Sequence, residues 1–263
     1  MAATIFSGDR AVDRFAGDTS IGGAGRLPPT RLSAVLGLRA DAADERRASW
    51  EAVVQFYWKP VYKVIRIRWG KSNEDAKDLT QEFFVHALEK EFLQSYDPAK
   101  ARFRTWLMLC LKGFLGKAHE AAGRLKRGGG AQPLSLDFAS AEEEIGSQEP
   151  ASPESLEDYF EREYVRDLFA RALKELETEC ARADRAAWYE LFVAYDVSPP
   201  PEGRPTYGEL AGRFGLPETK VTNYLFQARR RFREIVLERL RRVTATDEEF
   251  REEARAVLGT EEP

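Results

Sequence analysis

Apolar residues recur at three- and four-residue spacing over most of the stretch from Trp50 to Leu258, and no run of alternating Val, Ile and Thr interrupts them. That period belongs to helices, so an all-α fold is predicted. Leu32 to Leu38 reads as a short helix. Ser49 to Trp69 reads as a longer one carrying Trp50, Val53, Val54, Phe56, Tyr57, Val61, Val64 and Ile65, with Pro60 as a kink or a fresh start. Gly70 ends it, Ser72 or Asn73 caps the next, and Asn73 to Lys90 repeats apolar positions at Ala76, Leu79, Phe83, Ala87 and Leu88. After a turn at Ser95-Tyr-Asp-Pro98, Phe103 to His119 resumes the pattern through Trp106, Leu107, Leu109, Cys110, Phe114 and Leu115.

Gly128 to Gly130, then Pro133, Gly146, Pro150 and Pro153, interrupt any helix, so a flexible linker is expected over 128–153. It joins two helical domains, 31–127 and 154–245, flanked by a disordered extension over 1–30 and a tail over 246–263. In the second domain Leu156 to Leu176 and Arg182 to Tyr195 are amphipathic, and Pro199 to Pro201 form a stiff break. Thr206 with Glu209 fits a capping box, which starts a helix at Tyr207 that carries Leu210, Ala211 and Phe214 inward. Gly215 supplies the left-handed exit, and Pro217 opens a second helix with inward Val221, Leu225, Ala228 and Phe232. This is the pattern of a helix-turn-helix. Its second helix would lie in the major groove, with Thr219, Lys220, Thr222, Asn223, Phe226, Gln227 and Arg230 outward and Arg229, Arg231 and Arg233 on phosphates.

Charge sharpens this picture. The net charge of −4 hides two basic blocks: seven basic residues against Glu120 over 101–130, and ten against four acidic over 204–242, each about +6. Between them, 131–163 is about −9, and the tail after Thr246 is acidic again. Basic blocks suit a polyanion, although a solvated Arg-rich face gives the same composition. Composition also excludes classes. Cys110 and Cys180 lie far apart with only His86 and His119 to help, which supports neither a disulfide scaffold nor a zinc module. The N-terminus lacks the apolar core of a signal peptide, and the longest greasy run, Trp106 to Leu111, is far too short for a bilayer. A cytoplasmic protein without membrane contact is expected. Gly128 to Gly130 lacks the Lys-Ser/Thr of a phosphate-binding loop, so an enzyme is disfavoured and no cofactor or metal is implied. Glu74, Asp75, Asp78 and Glu82 share one side of a helix; without a second element to complete a cleft they read as a solvated face or a docking surface.

Asn73-Glu-Asp-Ala-Lys-Asp-Leu-Thr-Gln-Glu-Phe-Phe84 and Asp97-Pro-Ala-Lys-Ala-Arg-Phe-Arg-Thr-Trp-Leu107 resemble region 2 of extracytoplasmic-function sigma factors of the sigma-70 family. Lys126-Arg-Gly-Gly-Gly130, Leu134-Ser-Leu-Asp137 and the helix-turn-helix from Thr206 to Leu240 resemble the linker and region 4 of that family. The resemblance implies a non-catalytic protein that binds bacterial core RNA polymerase, through the β′ clamp and β flap, and directs it to promoters. Region 2 would handle the minus-ten element and region 4 the minus-thirty-five element. An anti-sigma factor is a further candidate partner.

Carried onto this chain, Asp75, Asp78, Leu79, Gln81, Glu82 and Phe83 match the helix that docks on the polymerase clamp. Arg102, Phe103, Arg104 and Trp106 match the segment that meets the melted minus-ten strand, supported by the basic Lys112, Lys117, Arg124, Lys126 and Arg127. Stacking aromatics and guanidinium planes suit unpaired bases, although Trp106 is equally consistent with core packing. Thr219, Lys220, Thr222, Asn223, Phe226, Gln227, Arg229 and Arg230 match the minus-thirty-five reader. Phe226, Thr222 and Asn223 depart from residues common in relatives, so no promoter sequence carries over. The acidic linker would let both modules engage at once through effective concentration, and Glu142 to Glu144 could follow the RNA exit path. Two other classes fit the same residues: a helix-turn-helix regulator acting without polymerase, and a sigma-like adaptor whose targeting comes from elsewhere.

Overall fold

A computed structural model describes residues 33–89, 95–121, 135–146 and 154–259. Among them every regular element is helical. The elements are α1 Ala34–Gly37, α2 Ala43–Lys63 running into a π-helical turn Val64–Arg68, α3 Asn73–Glu89, α4 Phe103–Ala121, α5 Phe138–Gly146, α6 Leu156–Arg182, α7 Ala186–Phe192 with a second π-helical turn Val193–Val197, α8 Tyr207–Phe214, α9 Glu218–Arg241 and α10 Asp247–Leu258. The predicted extension over 1–30 lies outside the described residues.

The described residues form two compact units, 33–167 with 241–253, and 168–240 with 254–259. The chain crosses between them inside α6, near the end of α9 and inside α10, not at the expected linker. The first unit is built on α2. Its Val53, Val54, Tyr57, Trp58, Val61 and Tyr62 are buried at helical spacing, and the helix continues through Pro60. Tyr57 stacks on Tyr164 of α6 and tilts against Phe103 of α4, while Trp58 and Tyr62 pack on Phe138 of α5. Gly70 follows the π-helical turn with φ +61°, and Ser72 caps α3 by accepting from the Asp75 N–H at 3.1 Å.

Two segments differ from expectation. Residues 138–146, expected within the flexible linker, form α5, whose N-terminus Asp137 caps by accepting from the Ser140 N–H at 3.2 Å. Its acidic residues are not a solvated strap: Lys63 Nζ reaches Glu144 at 2.6 Å and Glu163 of α6 at 2.9 Å, and Lys59 reaches Glu144 at 2.8 Å. Arg66 adds a bond to Glu142 at 2.9 Å. Burial alone would raise the Glu144 carboxyl, but Lys63 and Lys59 outweigh it and hold the group below its ordinary range. The rest of the expected linker, 128–134 and 147–153, lies outside the described residues. Likewise 247–258 of the expected tail form α10, with Phe250, Ala254, Val257 and Leu258 buried at positions i, i+4, i+7 and i+8.

The second unit centres on α9. Phe232 packs edge-on against Phe169 and tilts against Phe192, while Leu191, Leu210, Val221 and Leu225 close a smaller cluster. The expected capping box is present: the Thr206 hydroxyl accepts from the Glu209 N–H at 3.2 Å, and Glu209 accepts from the Thr206 N–H at 2.7 Å. Gly215 takes φ +63°, a conformation that costs a side chain about 1 kcal/mol, and so turns the chain from α8 into α9.

Candidate nucleic-acid interface

The residues expected at the polymerase contact all lie on α3, but not on one face. Asp75, Asp78 and Glu82, three and four residues apart, are exposed, with Leu79 and Gln81 half-buried beside them. Phe83 is a correction: it is 1% exposed, packed against Phe84 and Phe114. Seven residues after the buried Ala76, it has turned about 700° and returned to the inner stripe with Thr80, Phe84 and Ala87. The outer stripe is therefore acidic and free of large apolar groups.

The residues at the start of α4 are more enclosed than expected. Arg102, Phe103, Arg104 and Trp106 were expected to face an unpaired strand; Phe103 is fully buried, Arg104 is 2% exposed, and Arg102 and Trp106 are half-buried. Arg104 shares the helix face of Leu107, Met108, Leu111 and Leu115, and the desolvation of a cation on that face is offset by the carboxylates and aromatic ring around it. Its Nη2 lies 2.8 Å from Glu161, its Nη1 3.3 Å from Glu253, and its guanidinium 4.5 Å from the Tyr164 ring centre. Burial works against the Arg104 charge, but Glu253 and Glu161 prevail and raise its pKa. Burial pushes the Glu253 carboxyl up despite Arg104 and Arg102 beside it. Trp106 packs 5.4 Å from Phe103 and 5.5 Å from Tyr96, which favours its core role over free stacking.

The opposite face of α4 carries Thr105, Leu109, Lys112 and Lys117, all exposed. Leu109, expected inside, is 58% exposed, and Lys112 holds Glu157 of α6 at 2.5 Å. Sequence reading missed Thr105 and Leu109; their four-residue spacing out of phase with Phe103, Leu107 and Leu111 was the available signal. Arg124, Lys126 and Arg127 lie outside the described residues, as does the side chain of His119. Cys110 is half-buried, and desolvation pushes its thiol up to about 12, which disfavours the thiolate.

On α9 the outward set is where expected. Thr219, Lys220, Thr222, Asn223, Phe226 and Arg230 are exposed and Gln227 is half-buried. Phe226 is 41% exposed, and the Thr222 hydroxyl donates to the Glu218 carbonyl at 3.0 Å, which leaves its methyl for apolar contact. The arginines differ from expectation. Arg229 donates to both oxygens of Asp196 at 2.8 and 3.1 Å, and Arg231 to both oxygens of Glu179 at 2.7 Å and to Glu238 at 2.9 Å. They clamp α9 to neighbouring segments, because planar guanidinium forks match carboxylates better than they match solvent. The hydrogen bond to Arg231 holds the Glu179 carboxyl below its ordinary range. Among the described residues Arg230 pairs with Glu234 along its own helix, at 3.0 Å.

Among the described residues no group of three or more His, Cys, Asp or Glu could hold a metal, and no helix is long and apolar enough to cross a membrane. No curated protein and no solved structure matches the chain. The family model described as Sigma-70 region 2 matches residues 54–124, a span that runs from within α2, through α3, to just beyond α4. Over that span the first unit is similar to sigma-70 region 2.

Proposed function

We propose that this protein is a promoter-specificity subunit of bacterial RNA polymerase, of the extracytoplasmic-function type, that acts in the cytoplasm without a cofactor and catalyses nothing itself. The observation that carries the reading is the region 2 match over helices that present an acidic, core-free stripe at Asp75, Asp78 and Glu82. That stripe docks on the β′ clamp. The α4 segment from Arg102 to Trp106, extended by Lys112 and Lys117, meets the melted minus-ten strand, and the helix-turn-helix of α8 and α9 reads the minus-thirty-five element as a region 4. There Lys220 and Asn223 address base edges, while Phe226 and the Thr222 methyl suit thymine methyl groups. Mixing the protein with bacterial core polymerase should yield a complex on size exclusion and discrete run-off starts on genomic fragments. Asp78→Arg with Glu82→Arg should abolish the complex while helical content stays unchanged; a folded double variant that still binds core would remove the assigned interface.

The occlusion of Arg104 favours one alternative, a sigma-like adaptor that binds polymerase without reading a strand. Its signature is a complex that gives no discrete starts.

A further inference from the structure

Two acidic side chains of α10, Glu249 and Glu253, cover the start of α4. Phe103 is the first residue of α4, and its N–H belongs to the helix-terminal donors that have no partner within the helix and attract anions. Glu249, 146 residues away in sequence, accepts from that N–H at 2.6 Å and from the Tyr96 hydroxyl at 3.2 Å. Its other oxygen accepts from the Ala245 N–H at 2.6 Å, which fixes the start of α10. Glu253, one turn further, lies between Arg102 at 3.5 Å and Arg104 at 3.3 Å. Glu249 and Glu253 are both buried, and Arg241 stacks on Phe250 between them. All these groups belong to the first unit.

The fit is incomplete in a telling way. Both Glu253 oxygens and the Arg104 Nε and Nη1 are buried without a hydrogen bond among the described residues. A buried ion pair that lacks hydrogen-bond geometry keeps most of its desolvation cost and recovers little of it. A helix retained only for stability would gain from an apolar residue at 253; a carboxylate there makes sense as a surrogate for a phosphate.

We propose that α10 is an autoinhibitory latch: Glu249 and Glu253 mimic the phosphates of a single strand, cap α4 and sequester Arg102 and Arg104 until α10 is displaced. This rests on the reading of Arg102 to Trp106 as the strand site. Strand and latch compete for the same donors, so apparent affinity is reduced by the fraction of molecules with α10 open.

The test uses the full chain, with Glu249→Gln/Glu253→Gln and the milder Glu253→Gln alone, should the double variant lose helical content. Two quantities are measured: amide hydrogen exchange over 96–106, and anisotropy of a fluorescein-labelled random-sequence single-stranded DNA pool at low salt. The latch predicts that the variants exchange faster over 96–106 and bind the pool about tenfold more tightly than the unaltered chain. Equal DNA binding by the unaltered chain and the variants would overturn the latch and leave the strand reading standing. Faster exchange with no DNA binding by any form would overturn the strand reading, and the latch with it.

Discussion

Two runs of basic residues, Arg102 to Lys117 on α4 and Lys220 to Arg231 on α9, carry similar charge in the sequence and reach different ends in the fold. On α4 the arginines nearest the aromatic cluster turn inward and are matched by carboxylates from α6 and α10. On α9 the outward face stays open at Lys220, Asn223 and Phe226, while Arg229 and Arg231 are committed to carboxylates of the same unit. Composition cannot tell a cation that binds DNA from one that binds its own chain. The phase relative to the nearest buried stripe does separate an enclosed cation from an exposed one: Arg104 is in phase with Leu107 and Leu111, whereas Lys220 is out of phase with Val221 and Leu225.

The contrast is sharpest where charge is most deeply buried. Lys63→Ala removes a cation, 1% exposed, that sits between Glu144 and Glu163, and should cost about 3–5 kcal/mol in denaturant unfolding. In the second unit Asp196→Ala frees the half-buried Arg229 from a two-pronged bond and should cost about 2 kcal/mol, while Arg230→Ala, whose pair is exposed, should fall within about 0.5 kcal/mol. Equal losses at Lys63 and Arg230 would erase the contrast. Gly215→Ala meets no atom within 4 Å and therefore isolates the backbone term, about 1 kcal/mol. Acid acts on both units through Glu144 and Glu179, whose carboxyls are held below the ordinary 4.5. Their contribution is complete above pH 4.5 and is lost as pH falls through the depressed values, so denaturation midpoints should hold from pH 7 to 5 and drop below about 4.

Much of the scaffold was legible because period and punctuation agreed: the α2 stripe from Trp50 to Ile65, Gly70, the Thr206–Glu209 box and the Gly215 turn all stand where the residues place them. The two helices that escaped, α5 and α10, are rich in Glu, which in a sequence looks like solvated charge. Their positions were encoded nonetheless, by Asp137 ahead of Phe138 and by the Phe250, Ala254, Val257, Leu258 spacing. What the sequence could not supply was the partner of each carboxylate, since Lys63 and Glu163 are a hundred residues apart and Phe103 and Glu249 are farther still.

That separation also sets an order of events during synthesis. The first unit draws its last members from 241–253, so it cannot close until residue 253 has left the ribosome, long after α2, α3 and α4 are free to pack. For that interval the nascent chain holds Arg102, Arg104 and the Phe103 N–H without Glu249 or Glu253, so a segment that α10 covers in the finished protein stands open on the ribosome.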